Sequence, residues 1–585
     1  MYILGINAYH GDSSACLLKD GVLLSAAEEE RFRRLKHWAG FPSESISWCL
    51  RDAGISISDI DHIAINQNAS SNLIHKILFL VKNKLNVNFL RDRLKNKKQR
   101  FNIKLDLNKL SSVNTRYKLH YIDHHRSHLA SAYSVSGFDN AAILSIDGFG
   151  DFASTVTAIG KGQNITILNK VLFPHSMGIF YQALTQWLGF NNYGDEYKVM
   201  GLAPYGEPKY VDILQKIVAL KNDGTFELDL KFFAHHNGSV KFEWTDGEPK
   251  IGTLYTPALV ELLGASRRSD EQLTQYHMDI AKSIQAVYES TLFHVLNMLH
   301  KNGNTDNLCL AGGCAMNSVA NGKIYNNTPF KKIYVQSAAG DAGGAIGAAY
   351  VAWGSISGKT GLPMEHSYWG PKFSDSEIGQ LIESRRDEIS SLNCVVTQYE
   401  DFQKLCSNVA ESISDGNVIG WFQDRMEWGP RALGNRSILG DPRRSNMKDI
   451  LNLKIKRRES FRPFAPSILR EEVAEWFEND EDVPFMMQVF KIKENKRSMI
   501  PAVTHVDGSG RLQTVTNSSN KKYYELIKTF YQTTGIPMLL NTSFNENEPV
   551  VCTPQEALNC FIRTKMDKLV MGNWVITRKS NEAIV

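Results

Sequence analysis

Several protein classes are excluded by what the 585-residue chain lacks. Its eight cysteines (Cys16, Cys49, Cys309, Cys314, Cys394, Cys406, Cys552 and Cys560) form no CxxC pair and no disulfide-like rhythm. Most lie in apolar surroundings, as buried reduced thiols do, so a disulfide framework is not expected. No apolar run reaches the roughly 18 residues needed to span a bilayer. The chain opens on a strand, Tyr2–Ile6, with no basic segment ahead of it, and a cytoplasmic protein without a membrane partner is expected. Charge of one sign is also missing: 66 basic against 62 acidic residues leave +4. Bulk charge therefore gives no nucleic-acid footprint, and no nucleic-acid partner is expected. Arg91–Arg100 (RDRLKNKKQR) is the one strong basic run and reads as a solvated face or linker. What remains, 43% hydrophobic and 22% charged, is an ordinary globular composition long enough for roughly two to four domains.

The chain is organised around Tyr121–Tyr133, YIDHHRSHLASAY. Asp123 is a good N-cap for a helix on which His124 and His128 stand one turn apart on one face. Two imidazoles so placed can grip one metal ion, although the glutamate of a protease HExxH motif is missing. The next stretch, Ala142–Gly148, reads as a strand delivering Asp147 to a glycine turn. Two histidines with carboxylates suit Fe(II), Zn(II) or Mn(II), and the sequence alone does not choose.

The first thirty residues read as strand, turn and strand repeated. The first turn, with Gly11, Asp12, Ser13 and Ser14, offers hydroxyls and N–H groups of the kind that suit phosphate, as an ordinary β-turn also would. The pattern recurs at an offset of 140: Ile3/Ile143, Leu4/Leu144 and Ile6/Ile146 agree, Tyr9 faces Phe149 and Asn7 faces Asp147. Two copies of a hairpin-led α/β unit would enclose a cleft. Residues 70–118 read as a helical, basic insertion. Met177–Leu188 reads as an amphipathic helix, and Glu196–Gly206 as a breaker-rich loop lining a site. A long helix over Leu273–His300 leads to a strand and the Gly312–Gly313 turn, and a second strand leads to the turn around Asp341. Two glycine turns with Asp147 and Asp341 fit a nucleotide–metal cleft.

Gly358–Pro371 reads as a linker, after which the chemistry changes. Arg425, Arg431, Arg436 and Arg443, then Lys456, Arg458 and Arg462, lie among glycines and aromatics. Arginine forks at loop positions match phosphate oxygens two at a time, so an anion pocket is expected. Met538–Asn545 is a strand ending in amides and a hydroxyl.

Taken in order, HGDSSA, DHHxSHxASAY, the Asp147–Gly148 pair, EYKVMGLAPYG, AGGxAxN, QSAAGDAGGAIGAA, WGPRALGNRSIL, FRPFAPSIL and NTSFN resemble the NodU/CmcH-type O-carbamoyltransferases of antibiotic and other natural-product biosynthesis. The resemblance implies an α/β fold: a duplicated actin/Hsp70-like (RNase H-like, Kae1-like) ATPase domain over 1–357, a linker at 358–371 and a YrdC-like domain over 372–585. It implies ATP and carbamoyl phosphate as substrates, a carbamoyl-adenylate formed with loss of pyrophosphate, and transfer to a hydroxyl of a small-molecule acceptor. His124, His128, Asp147 and Asp341 would hold a metal, Fe(II) or another divalent ion, with Mg2+ accompanying ATP. His10, as candidate base, Asp12 and Lys198 would be catalytic, and His125 would only hydrogen-bond. Gly312, Gly313, Asn317, Gly343 and Gly344 would contact ATP. Arg425, Arg431, Arg436, Lys456, Arg458, Arg462, Asn541, Ser543 and Asn545 would hold carbamoyl phosphate and the adenylate. The family leans toward homodimers. Rival readings are an actin-fold small-molecule kinase and a tRNA threonylcarbamoyl-type transferase.

Overall fold

The computed structural model describes residues 1–82, 103–110, 116–237, 240–244, 247–456, 459 and 461–579. It divides into two compact units, Met1–Met364 and the remainder from Glu365. The break falls inside the expected 358–371 linker. Gly358 closes a helix in the left-handed conformation (φ 71°), and the Met364 N–H donates to Val135 O, so this half belongs to the first unit. Gly370 and Pro371 bond with Met426 and belong to the second.

The first unit holds two five-stranded sheets with one topology. In the first, Val22–Glu28, Ser14–Lys19 and Tyr2–Asn7 run antiparallel, and His62–Ile65 and Lys118–Tyr121 follow parallel. In the second, Asn164–Leu172, Ala153–Lys161 and Asn140–Gly150 run antiparallel, and Asn307–Ala311 and Lys332–Val335 follow parallel. Tyr2–Asn7 and Asn140–Gly150 hold the same place, which is the repeat at offset 140. Both are central strands covered on two faces, hence their nearly unbroken apolar runs. The duplicated α/β fold expected of this unit is present.

Helix His124–Tyr133 and helix Gly343–Ser357 pack together with strand Tyr2–Asn7, and small residues make the seam. A Cβ on Gly347 would lie 1.7 Å from Ser127 O, and one on Gly5 would lie 2.1 Å from Ala345 O. The helix expected over 177–188 is Met177–Trp187, capped by Ser176. The long helix runs Gln275–Gly303 and ends on left-handed Asn304. The expected loop at Glu196–Gly206 is instead helical over Glu196–Leu202, followed by a short 3-10 turn. Pro204 is tolerated because it stands in the first turn of that new element. Of the basic insertion, Leu73–Lys82 and Ile103–Lys109 are helices; Arg91–Arg100 lies outside the described residues.

The second unit is built on a nine-stranded mixed sheet. Its middle strands are Ile419–Phe422, Arg436–Gly440, Met538–Ser543 and Ala465–Leu469. Their adjacency brings the arginine-rich loop 423–435 beside the strand end at Ser543.

Candidate active site and family

The helix carrying the two histidines starts where expected: Asp123 Oδ1 accepts the Arg126 N–H at 3.0 Å. His124 and His128 are buried, and their Nε2 atoms face each other at 3.0 Å. Asp147 Oδ2 lies 3.2 Å from one and 3.0 Å from the other. Asp341 Oδ1 lies 3.6 and 3.5 Å from the same two nitrogens. All four donor atoms fall within 4.8 Å of one another.

Electrostatics show that this group calls for positive charge. Burial pulls the His128 imidazole down, but the Asp147 and Asp341 carboxylates more than reverse it and raise it to about 9. Burial and the neighbouring Asp147 raise Asp341, whereas both imidazoles hold Asp147 well below the carboxylate range despite its burial. Two imidazole nitrogens aimed at one point beside two carboxylates form a donor set that fits a divalent transition metal. His125 points elsewhere, with Nδ1 2.7 Å from Ser145 Oγ, and burial drives it down to about 3.

The turn after the first strand approaches the same place. The His10 ring centre is 5.4 Å from that of His124, and its Nε2 is 3.2 Å from Gln67 Oε1. Asn7 Nδ2 ties this turn down by donating to Gly11 O and Asp12 O. Asp12 adopts a left-handed conformation (φ 54°) and meets His37 Nδ1 at 2.8 Å. His37 also donates its N–H to Glu30 Oε2, and Tyr193 packs edge-on against its ring. Although burial works against it, Asp12 chiefly raises His37 to about 9. Sequence reasoning missed His37 and Glu30, since only the fold brings them to the Asp12 turn. Asp151, also missed, accepts the N–H groups of Asn68 (2.8 Å) and His124 (2.9 Å). Lys198 is paired with Asp195 at 3.0 Å, on the helix after the Phe190 turn.

The glycines divide into two roles. Gly312, at φ 93°, leaves no room for a side chain, because a Cβ would lie 2.2 Å from Ile146 O. The turn so formed lets the Gly313 N–H donate to Asp147 Oδ1 at 3.2 Å. Asn317 caps the next helix at Ala320 and exchanges amide bonds with Gln285. Gly343 and Gly344 are buried against Ala338 O and Asn66 Nδ2, so their missing side chains serve close packing.

In the second unit Lys456 is buried, and its ammonium donates to Ser543 O (2.6 Å), Asn545 O and Asn545 Oδ1 (both 2.7 Å). Asn541 Nδ2 donates to Ala432 O and Ser467 Oγ, both at 3.0 Å. Arg436 departs from the expected role of open anion fork. It is fully buried and donates to the carbonyls of Gln423, Asn435, Pro371 and Asp424, with its guanidinium 3.7 Å from the Phe422 ring centre. Its two terminal amino groups are used to hold the loop and Pro371. Glu427 assists: one carboxylate oxygen accepts the N–H groups of Leu433, Asn435 and Arg436. Arg425 donates to Gly370 O at 3.1 Å, Arg462 pairs with Glu459 at 3.6 Å, and Arg431 stands half-buried on the loop. Arg458 lies outside the described residues.

Comparison with known proteins gives this arrangement a family. Residues 2–350 match the family model for the carbamoyltransferase N-terminus, and 410–578 that for the carbamoyltransferase C-terminus. The chain is 42% identical to the uncharacterized protein sll1178 of Synechocystis, over 99% of this chain and 97% of that one. It is 38% identical to the nodulation protein NolNO of Sinorhizobium fredii, over 98% and 80%. An uncharacterized Methanocaldococcus jannaschii protein, MJ1051, is 31% identical over 98% and 99%. With one family model matched in each of its compact units, this chain belongs to the carbamoyltransferase family and is a carbamoyltransferase.

Proposed function

We propose that the chain is an ATP-dependent O-carbamoyltransferase that draws its carbamoyl group from carbamoyl phosphate and passes it to a hydroxyl of a small natural-product acceptor. The observation that carries this reading is the convergence of His124, His128, Asp147 and Asp341 within 4.8 Å, beside the Asp12 turn of the other sheet. Atom balance sets the sequence of bonds. Water adds to carbamoyl phosphate and phosphate departs, leaving carbamate. A carbamate oxygen attacks the α-phosphorus of ATP and pyrophosphate leaves. The acceptor oxygen then attacks the carbamoyl carbon, AMP leaves, and the hydroxyl proton passes to a base.

The chain's own groups can be given parts in this order. The Gly312–Gly313 turn, whose N–H groups are held by Ala339 O and Asp147 Oδ1, leaves a side-chain-free surface beside Asp147 for ATP to approach closely. A divalent metal such as Fe(II), held by His124, His128, Asp147 and Asp341, supplies Lewis-acid charge beside phosphate or acceptor oxygen when bound. His10, its ring tilted against that of His124, is the candidate base, and its bond to Gln67 orients the ring. Lys456, with Ser543 and Asn545, fixes the strand end beside the arginine loop, from which Arg431 and Arg425 offer cationic charge to a small dianion.

The test is an assay with ATP, Mg2+, carbamoyl phosphate and Fe(II), with pyrophosphate and AMP-containing products measured. Pyrophosphate release that depends on carbamoyl phosphate and vanishes in Asp341→Ala is expected. Formation of ADP in its place would sink this reading in favour of a kinase.

A further inference from the structure

Tyr193 stands on the tight turn between helix Met177–Trp187 and helix Glu196–Leu202, where the Asn192 N–H donates to Asp195 Oδ2 at 3.2 Å. Its ring is held on two sides, edge-on to His37 and to Trp244, at 5.3 and 6.3 Å between centres. The next residue tightens the mount: Gly194 is left-handed (φ 84°), and a Cβ there would lie 2.5 Å from His37 Nε2. The phenol oxygen is seated against the turn that follows the first strand, since a Cβ on Gly11 would lie 2.5 Å from it. Among the described residues this hydroxyl has no hydrogen-bond partner. A tyrosine packed between elements ordinarily satisfies its O–H there, whereas Tyr193 combines a fixed ring with an unused donor.

That donor belongs to the corner of the metal-ligand group. The turn under it is clamped to the group at three points. The His10 ring centre lies 5.4 Å from that of His124, and Asp12 Oδ2 lies 4.0 Å from where a Cβ on Gly340 would stand. Ser14 Oγ donates to Ala342 O at 2.9 Å. Gly340 and Ala342 flank Asp341, so Gly11 and the hydroxyl over it sit beside the ligand turn. Charge agrees with this placement: burial and then the carboxylates of Asp341, Asp12, Asp147 and Glu196 raise the Tyr193 phenol. The hydroxyl donates to none of those carboxylates, so its acceptor comes from outside the chain. A divalent ion at the group draws phosphoryl oxygens, and these accept strongly from an O–H beside them.

We propose that the Tyr193 hydroxyl donates to a phosphoryl oxygen of the substrate bound at the His124, His128, Asp147 and Asp341 group. A neutral phenol suits this position better than an ammonium or guanidinium, because a fixed cation there would compete with the ion for Asp147 and Asp341. The held ring sets the direction of the bond in advance, which keeps its entropic cost low. The inference rests on the metal assignment made above and on none of the carbamoyl steps. Anion binding is read without turnover, so its failure is distinct from failure of the adenylation assay.

The experiment loads the full-length protein with Co(II) and follows the visible cobalt bands during titration with inorganic phosphate. Phosphate is expected to perturb the bands of the wild type. Tyr193→Phe should weaken that binding about tenfold to a hundredfold, the range for a hydrogen bond to a charged group, with Co(II) affinity and Tm unchanged. Tyr193→Ala, which also removes the ring, should show the same loss. AMP and carbamoyl phosphate are then titrated in the same way, and the one whose affinity falls in Tyr193→Phe supplies the phosphoryl oxygen; a loss with neither overturns the inference. So does wild-type phosphate affinity in Tyr193→Phe, a wild-type protein that retains no Co(II), or a cobalt spectrum that phosphate leaves unchanged. Loss of Co(II) from Tyr193→Phe overturns it by making the phenol a metal ligand. A phosphate response that survives in His128→Ala places the ion elsewhere, with the same result.

Discussion

Replacing Arg436 by Met separates a fold-making arginine from a substrate-binding one. The guanidinium is sealed among four carbonyls and lies over the Phe422 ring. Met matches its length but donates nothing. Stranding even two of the four carbonyls costs about 2–6 kcal/mol, and losing the ring contact adds roughly 2 kcal/mol. Against this, burial pulls Arg436 down to about 10, so relief of that desolvation returns about 3 kcal/mol. The net destabilisation is about 3 kcal/mol, within a range of roughly 1–5. For a unit of this size it should move the urea midpoint of the second-unit transition by roughly 1 M. The assay is urea unfolding followed by tryptophan fluorescence, fitted as separate transitions because two units need not melt together. Arg436→Lys should rescue little, since one ammonium cannot reach four carbonyls held by a planar fork. An unchanged midpoint together with a large rise in KM for carbamoyl phosphate would refute this reasoning and return Arg436 to the substrate.

Three further outcomes follow from the geometry. Gly347→Ala places a methyl 1.7 Å from Ser127 O, a backbone atom that cannot swing aside; a loss of about 3 kcal/mol, seen as a lower Tm, is expected. Lys456→Met leaves oxygens of Ser543 and Asn545 without their donor; it should cost about 2–4 kcal/mol and abolish carbamoyl phosphate-dependent pyrophosphate release. His37 is raised from 6.5 to about 9, chiefly by Asp12 working against burial. A base raised by folding stabilises fully below its unfolded value and loses that contribution as pH climbs through the folded one. Tm should therefore fall between pH 6.5 and 9 relative to Asp12→Asn, and parallel Tm profiles for the two proteins would show that the pair carries no such linkage.

The most legible features were local. The offset-140 repeat is visible because central strands of both sheets need apolar residues on both faces, so equivalent positions keep the same residue types. His124 and His128 are legible because one helical turn separates them, and Asp147 because a strand ends there. Contacts between distant stretches stayed hidden. Nothing near His37 announces Asp12 or Tyr193, and nothing in the sequence distinguishes an arginine facing an anion from one turned inward onto carbonyls, as Arg436 is. The helix at Glu196–Leu202 was obscured by glycine and proline, which suggest a loop unless tertiary packing compensates. Gly343 and Gly344 illustrate the same ambiguity: a glycine-rich turn looks alike whether a ligand or a neighbouring helix fills the space.

The seam between Gly347 and Ser127 works as a gauge block. Ser127 stands between His124 and His128, and Gly347 lies six residues beyond Asp341 on the helix that follows its turn. The imidazole pair is therefore spaced from the turn that carries Asp341 by main chain resting on main chain. Main-chain contacts of this kind have almost no slack. The separation between the imidazole pair and Asp341 should then hold steady across changes of temperature and surface sequence, and selection among ions of different radius would be set by the backbone before any side chain moves.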